Sequence, residues 1–185
     1  MKKLLFGLIA LLSFYSCSKD NAEDTIDSPM KSTQQIIPCG DVSYTALVIP
    51  TSIDLISPGT IIMQNDEFNL YVTIQTSDDW QLQMTHVKAG DCYNLPLNYA
   101  DPLNSVSILY DDFPYAETHP AGTTTHTVIV PLQSLPNILC ITVAASVVIV
   151  ENGQIVQSET TLTMEKGLVG GTYPFSYWYY INSCE

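Results

Sequence analysis

Arginine is absent from this 185-residue chain, and lysine supplies all six cationic side chains against nineteen aspartates and glutamates, for a formal charge of -13. Phosphate recognition depends on clustered cations, with the planar arginine fork favoured for bidentate contacts, so the composition argues against a nucleic-acid partner. Such acidity suits solubility outside the cell, and cationic ions or neutral ligands match this surface better than anions do. Several motifs are missing as well. With no Cys-x-x-Cys pair the common zinc spacings fall away, and there is no EF-hand pattern, no Gly-x-Ser-x-Gly elbow and no phosphate-cradling glycine loop. Catalysis therefore has no positive evidence in the sequence. Helical periodicity sustained over three turns is also lacking, which excludes an α-helical bundle.

The first residues carry a different signal. Lys2 and Lys3 precede an apolar run at 4–14. It is too short to span a hydrocarbon core of ~30 Å, so it reads as a signal peptide and not as an anchor. The run ends at Phe14-Tyr15-Ser16-Cys17. A small residue before a cysteine resembles a bacterial lipobox, in the relaxed form of Bacteroidota-type lipoproteins, with Phe14 and Tyr15 departing from the strictest form. The resemblance implies diacylglyceryl attachment at Cys17. Each buried methylene contributes ~0.8 kcal/mol, so several acyl chains hold a protein stably on a membrane. The stretch Ser18-Lys19-Asp20-Asn21-Ala22-Glu23-Asp24 looks like the acidic export tag of such lipoproteins, and it is equally a polar disordered spacer. The expected organisation is a signal peptide at 1–16, a lipidated Cys17 with an acidic flexible tether at 17–35, and one domain at 36–185. The expected location is the outer membrane, lipid-anchored, on the cell-surface side or otherwise facing the periplasm.

From Ile36 onward, short β-branched and aromatic runs alternate with Pro, Gly, Asn and Asp. This texture predicts an all-β domain with strands at 43–49, 60–64, 69–76, 81–87, 105–109, 124–130, 139–150, 154–164 and 173–181. Asn152-Gly153 between valine- and isoleucine-rich runs marks a type I′ hairpin, because both central residues of that turn need positive φ. Asn65-Asp66-Glu67 and Ser77-Asp78-Asp79 are read as two further hairpin turns. Leu70, Val72 and Ile74 alternate with Tyr71, Thr73 and Gln75, as one buried face requires. The run 141–150 is apolar throughout except for Thr142 and Ser146, which predicts a strand covered on both sides. Two packed sheets satisfy both patterns, so the expected fold is a single antiparallel β-sandwich, Ig-like or jelly-roll-like. The stretch 89–122 holds four prolines and one weak strand, yet Tyr93, Tyr99, Tyr110, Phe113 and Tyr115 mark it as a packed loop rather than a disordered one.

With Cys17 assigned to lipid, Cys39, Cys92, Cys140 and Cys184 remain, an even number suited to an oxidising compartment. Three pairings are possible. Cys39 with Cys184, near the two domain ends, is favoured, leaving Cys92 with Cys140. A bridge closing the whole domain restricts the unfolded chain by about 5 kcal/mol in the entropic account.

The candidate site residues are few. His86, His119 and His126 are the only histidines, and with Asp111, Asp112 and Glu117 they offer donors for a metal or acid-base site, without a recognised spacing. His126 lies in Thr124-Thr125-His126-Thr127-Val128, where a solvent-face histidine is the ordinary reading. Asp78, Asp79, Asp111 and Asp112 are weak candidates for calcium; adjacent acids in turns are more often solvated turn formers, and no other cofactor is expected. At the other end Tyr173, Phe175, Tyr177 and Tyr179 share one strand face while Trp178 and Tyr180 share the other. Trp178 and Tyr180 are candidates for a platform that takes sugar rings or a protein partner. The ligand-binding candidates are thus His86, His119, Tyr115, Trp178 and Tyr180.

Five segments carry a resemblance: Thr85-His86-Val87-Lys88-Ala89-Gly90, Leu95-Pro96-Leu97-Asn98, Phe113-Pro114-Tyr115, His119, and Ala144-Ala145-Ser146-Val147-Val148. Together they resemble a group of secreted bacterial β proteins of unassigned function with the pattern T-H-x-Y-x-G, P-x-N, F-P-Y, His, A-A-H-A-x-V and E-T-A-W. Here Val87 stands in place of the aromatic, Ser146 in place of a histidine, and Glu159-Thr160-Thr161-Leu162 lacks the tryptophan. The resemblance implies a surface domain and brings no reaction or ligand with it. The leading expectation is a non-enzymatic binding or adhesion module whose partner is a glycan or a surface protein. The alternatives are a secreted hydrolase or metal-dependent enzyme using His86, His119 and loop carboxylates, and a structural subunit of a surface assembly.

Overall fold

The computed structural model describes residues 37–50, 56–77, 79–101, 105–164 and 175–184. The signal segment, Cys17, the tether and Asp78 lie outside them, and the compact unit that contains them is Ile36–Glu185. Its strands are β1 (Ser43–Val48), β2 (Gly59–Asn65), β3 (Asn69–Thr76), β4 (Trp80–Gly90), β5 (Leu97–Asp101), β6 (Ser105–Ile108), β7 (Tyr115–Thr118), β8 (Thr125–Pro131), β9 (Ile138–Glu151), β10 (Gln154–Thr163) and β11 (Tyr177–Tyr180). All of their pairings are antiparallel.

One nine-stranded sheet runs in the order β7-β4-β9-β10-β1-β2-β3-β8, with β11 also paired to β9. It curls into a near-barrel, so a single sheet supplies both layers of the expected sandwich-like, all-β domain. Strand β9 makes this possible by its length. One of its edges pairs with β4, while the other pairs with β11 over residues 138–141 and with β10 from Ala144 onward. Its odd-numbered residues Leu139, Ile141, Val143, Ala145 and Val147 point into the main core with Leu70, Val72 and Ile74 of β3 and Tyr179 of β11.

The even-numbered face of β9 is covered too, as the unbroken apolar run predicted. Residues 91–101 and 105–113 lie across it, with β5 and β6 paired apart from the large sheet. Leu97 and Phe113 form a second apolar cluster with Ala144 and Leu162. The Cys92–Cys140 disulfide, with Cα atoms 4.9 Å apart, pins the start of this covering segment to β9. Phe113 therefore packs as expected and Tyr115 is half-buried, whereas Tyr93 and Tyr110 stand exposed. The stretch 89–122 also holds β5 and β7, two short strands that proline-rich spacing conceals from a periodicity argument.

Turn chemistry follows the residues at two of the three expected positions. Asn152 and Gly153 take φ of 51° and 77° and join β9 to β10. Between β2 and β3, the Asp66 carboxylate accepts from the amides of Phe68 and Asn69 and from the Tyr71 hydroxyl. Burial pushes this carboxyl up, but the three donors together hold it below its usual value. The third position is a correction. The Trp80 amide donates to the Ser77 carbonyl, yet β3 and β4 do not pair. Both edges of β3 are taken by β2 and β8, so the chain crosses to the other wall of the curled sheet.

At one end of the domain a single buried amide joins three segments. The Asn65 side chain donates to the carbonyls of Asp66 and Asn182 and accepts from the Tyr179 hydroxyl and the Asn182 amide. The Cys39 amide donates to the Asn65 carbonyl, and Cys39 and Cys184 form a disulfide with Cα atoms 4.7 Å apart. Tyr179 is 2% exposed, and burial pushes its hydroxyl up to about 12. It is therefore a permanent donor. Replacing Asn65 with alanine leaves this hydroxyl and backbone groups of Asn182 unpaired. The expected loss is about 2–4 kcal/mol of unfolding free energy in urea, against about 1 kcal/mol for Tyr179→Phe, which removes only one donor. Equal losses for the two variants would show that Asn65 is not the hub.

Candidate functional site

The two terminal strands of the curled sheet, β7 and β8, are not paired with one another. Residues 119–124 join them and close the near-barrel at that end. The His119 amide donates to the Gln83 carbonyl, the Leu82 amide to the Thr123 carbonyl and the Thr76 amide to the Thr124 carbonyl, so this connection is stitched to both β4 and β3. Beyond it, a notch of about 320 Å³ separates the strands, lined by Thr85, Tyr115, Glu117, His126 and Val128 among others.

Strand parity decides which side chains reach the notch. Glu117 lies opposite Thr85, and Thr85 lies opposite Ala145 on the interior face. Glu117 thus turns inward at the seam, and the period of two sends His119 to the same side. On β8, Val128 and Val130 are buried in the core, and His126 shares their face. Glu117 and His119, which follow one another from β7, therefore meet His126 from β8. The Glu117 Oε2 lies 3.4 Å from His126 Nε2. The rings of His119 and His126 have centroids 4.4 Å apart at an interplanar angle of 47°. The Thr85 hydroxyl and His119 Nε2 are hydrogen-bonded at 2.8 Å, deep in the seam. Burial pushes the His119 imidazole below its usual pKa, the neighbouring His126 adds to this, and Glu117 opposes it. At neutral pH His119 is uncharged and keeps a nitrogen lone pair. The carboxylate stands at the solvent side of the group, the histidines behind it.

The remaining expected residues are scattered. His86 faces the other side of β4 from Thr85, with its ring 4.8 Å from that of Tyr110 and 5.6 Å from that of Phe113. It is buried under the covering loop, and its pKa is lowered by that burial. His86 and His119 therefore sit on opposite faces of one strand and do not form the shared site that a hydrolase using both would need. Asp111 and Asp112 are exposed on a short 3-10 turn, Tyr110–Asp112, and Asp79 is exposed beside Trp80. Among the described residues they join no group of three ligating side chains. Tyr115 is half-buried at the notch. Trp178 and Tyr180 project from β11 on the face away from the core, at 46% and 61% exposure, and Ile138, which pairs with Tyr180, is 48% exposed on the same face.

His126 is a second correction. It does not lie on the solvent face, because Thr125, Thr127 and Ile129 take that face and the valines take the other. The signal was present in Val128 and Val130, but an exposed Ile129 between them blurs the parity. Glu117 was legible only as one acid among several near the histidines. Its spacing of two residues from His119 on an extended segment is what places both on one side.

The lowered pKa of His86 has a defined consequence for stability. The unfolded chain takes up a proton near the usual histidine value of about 6.5, before the folded state does, so the stabilisation is complete above that pH and is lost as pH falls below it toward the depressed folded value. His119 contributes with the same sign. The urea midpoint should therefore fall between about pH 7.5 and about pH 5, and His86→Phe should shrink that fall. A slope unchanged in His86→Phe would show that the aromatic slot does not disfavour the imidazolium.

No protein-family model, curated protein or solved structure matches this chain.

Proposed function

We propose that the chain is a lipid-anchored bacterial envelope protein whose β domain is a non-enzymatic binding module, displayed at the outer-membrane surface, that takes neutral glycan chains on the aromatic face of β11. One observation carries the binding reading: Trp178 and Tyr180 stand outward beside Ile138 while Tyr179 between them is locked in the core. Alternate residues on a strand are about 7 Å apart, a spacing on which successive flat apolar faces can lie. Tyr93, almost fully exposed, follows Cys92, whose disulfide partner Cys140 is the cross-strand neighbour of Trp178. Rigid aromatic side chains bind with little loss of conformational entropy. Their anchorage on a strand held by Tyr179 and Asn65 adds to this. The charge of -13 disfavours polyanionic glycans and leaves neutral ones.

The anchoring part rests on Lys2-Lys3, the apolar run that follows, Ser16-Cys17 and the acidic stretch after it. The resemblance to secreted bacterial β proteins agrees with a surface position. The enzymatic alternative loses its support with the separation of His86 from His119.

Two measurements test the proposal. Cells fed labelled palmitate should incorporate it into the wild-type protein and not into Cys17→Ala; equal labelling would remove the anchor. On a glycan array, the protein should retain neutral glycans, and Trp178→Ala combined with Tyr180→Ala should weaken retention at least about tenfold. Retention of no neutral glycan, or the same retention by the double variant, would remove the binding face.

A further inference from the structure

The seam between β7 and β8 holds a group of side chains that the glycan-binding reading does not use. We propose that Glu117, His119 and His126 form a binding site for one divalent transition-metal ion, zinc foremost, which bridges the two unpaired edge strands of the near-barrel. One ligand atom from each residue lies within 4.8 Å of the others. Tetrahedral zinc with bonds of about 2.0–2.1 Å places its ligand atoms about 3.3 Å apart. The Glu117–His126 pair is already at 3.4 Å, so the remaining closure is small side-chain rotation. Glu117 is largely exposed and free to make it.

The donor set selects the class of ion. Two imidazoles and one carboxylate suit zinc, nickel, cobalt and copper, whereas calcium takes six to eight oxygen ligands. Asp111, Asp112 and Asp79, the exposed loop acids, are therefore not part of it. The Thr85 hydroxyl adds a supporting feature. It is buried, hydrogen-bonded to His119, and fixes the ring, as an outer hydrogen-bond partner commonly does for a metal-bound histidine. Three protein ligands leave a coordination position open toward the notch, where Glu117 meets solvent.

The placement also explains what the ion does to the fold. Glu117 and His119 belong to β7 and its exit, and His126 to β8. Where residues 119–124 close the curled sheet with backbone hydrogen bonds, the ion continues that closure one step further along the seam. An ion that binds the folded state and not the unfolded one stabilises it by mass action. Binding and stabilisation are thus two readouts of one site.

The test uses the full chain, purified in detergent, stripped with a chelator and titrated with zinc by calorimetry and with cobalt by visible absorption. The expected result is one equivalent of zinc, cobalt absorption bands of a low-coordinate nitrogen-oxygen site, and a urea midpoint raised by zinc. His126→Ala and Glu117→Gln should each weaken zinc binding at least about tenfold and abolish the rise in midpoint, while Asp111→Asn should change neither. Glu117→Gln alters an exposed carboxylate, so it keeps the test decisive should His126→Ala fail to fold. No heat at millimolar zinc, or zinc binding undiminished in Glu117→Gln, would overturn the proposal. Loss of binding in Asp111→Asn would overturn it as well, by moving the ion to the loop acids.

Discussion

The structure depends on burying a single strand from both sides. Strand β9 has fourteen residues and is largely apolar on each face, so neither face can be left to water. On one side the sheet curls until β3 and its neighbours stand opposite β9, and the side chains between the walls become the core. On the other side the connection between β4 and β7 is long because it must travel across the strand and back. Its β5–β6 pair, Phe113 and the Cys92–Cys140 bridge are the cover. A proline-rich segment that looks like an interruption in the sequence is therefore the outer layer of the domain.

Curling also creates the seam. A sheet that closed fully would have no free edges, but β7 is only four residues long and pairs β4 over Met84–Val87, so it cannot run beside β8 along its length. The gap is where polar side chains can turn inward without full desolvation. Glu117, His119 and His126 occupy it, and the buried Thr85 hydroxyl behind them has a ring nitrogen for a partner. Elsewhere, among the described residues, β11 is paired only to β9, with Trp178 and Tyr180 turned outward. Both candidate surfaces are consequences of where the sheet stops.

Much of this was legible beforehand because it is local. The strand at 69–76, the positive-φ pair Asn152-Gly153 and the two-sided burial of β9 follow from periodicity and turn chemistry, which act within a few residues. The split of Trp178 and Tyr180 from Tyr179 follows from alternation once β11 is a strand. Strands β5 and β7 were not legible, since four or five residues beside prolines carry too little pattern, and their pairing comes from β6 and β4. Ser77-Asp78-Asp79 reads as a hairpin in the sequence because turn residues report that the chain bends and not which strand it will lie beside.

The sequence by itself determined the all-β class and the strand faces, because side-chain alternation is a property of each segment alone. Only the tertiary structure decided that His126 meets Glu117 and His119 while His86 is kept apart from them by the thickness of one strand. That decision is physical: neighbours across a seam are set by how far the sheet curls and which edges remain unpaired. Those quantities depend on all the strands together and are written in no single stretch of the chain.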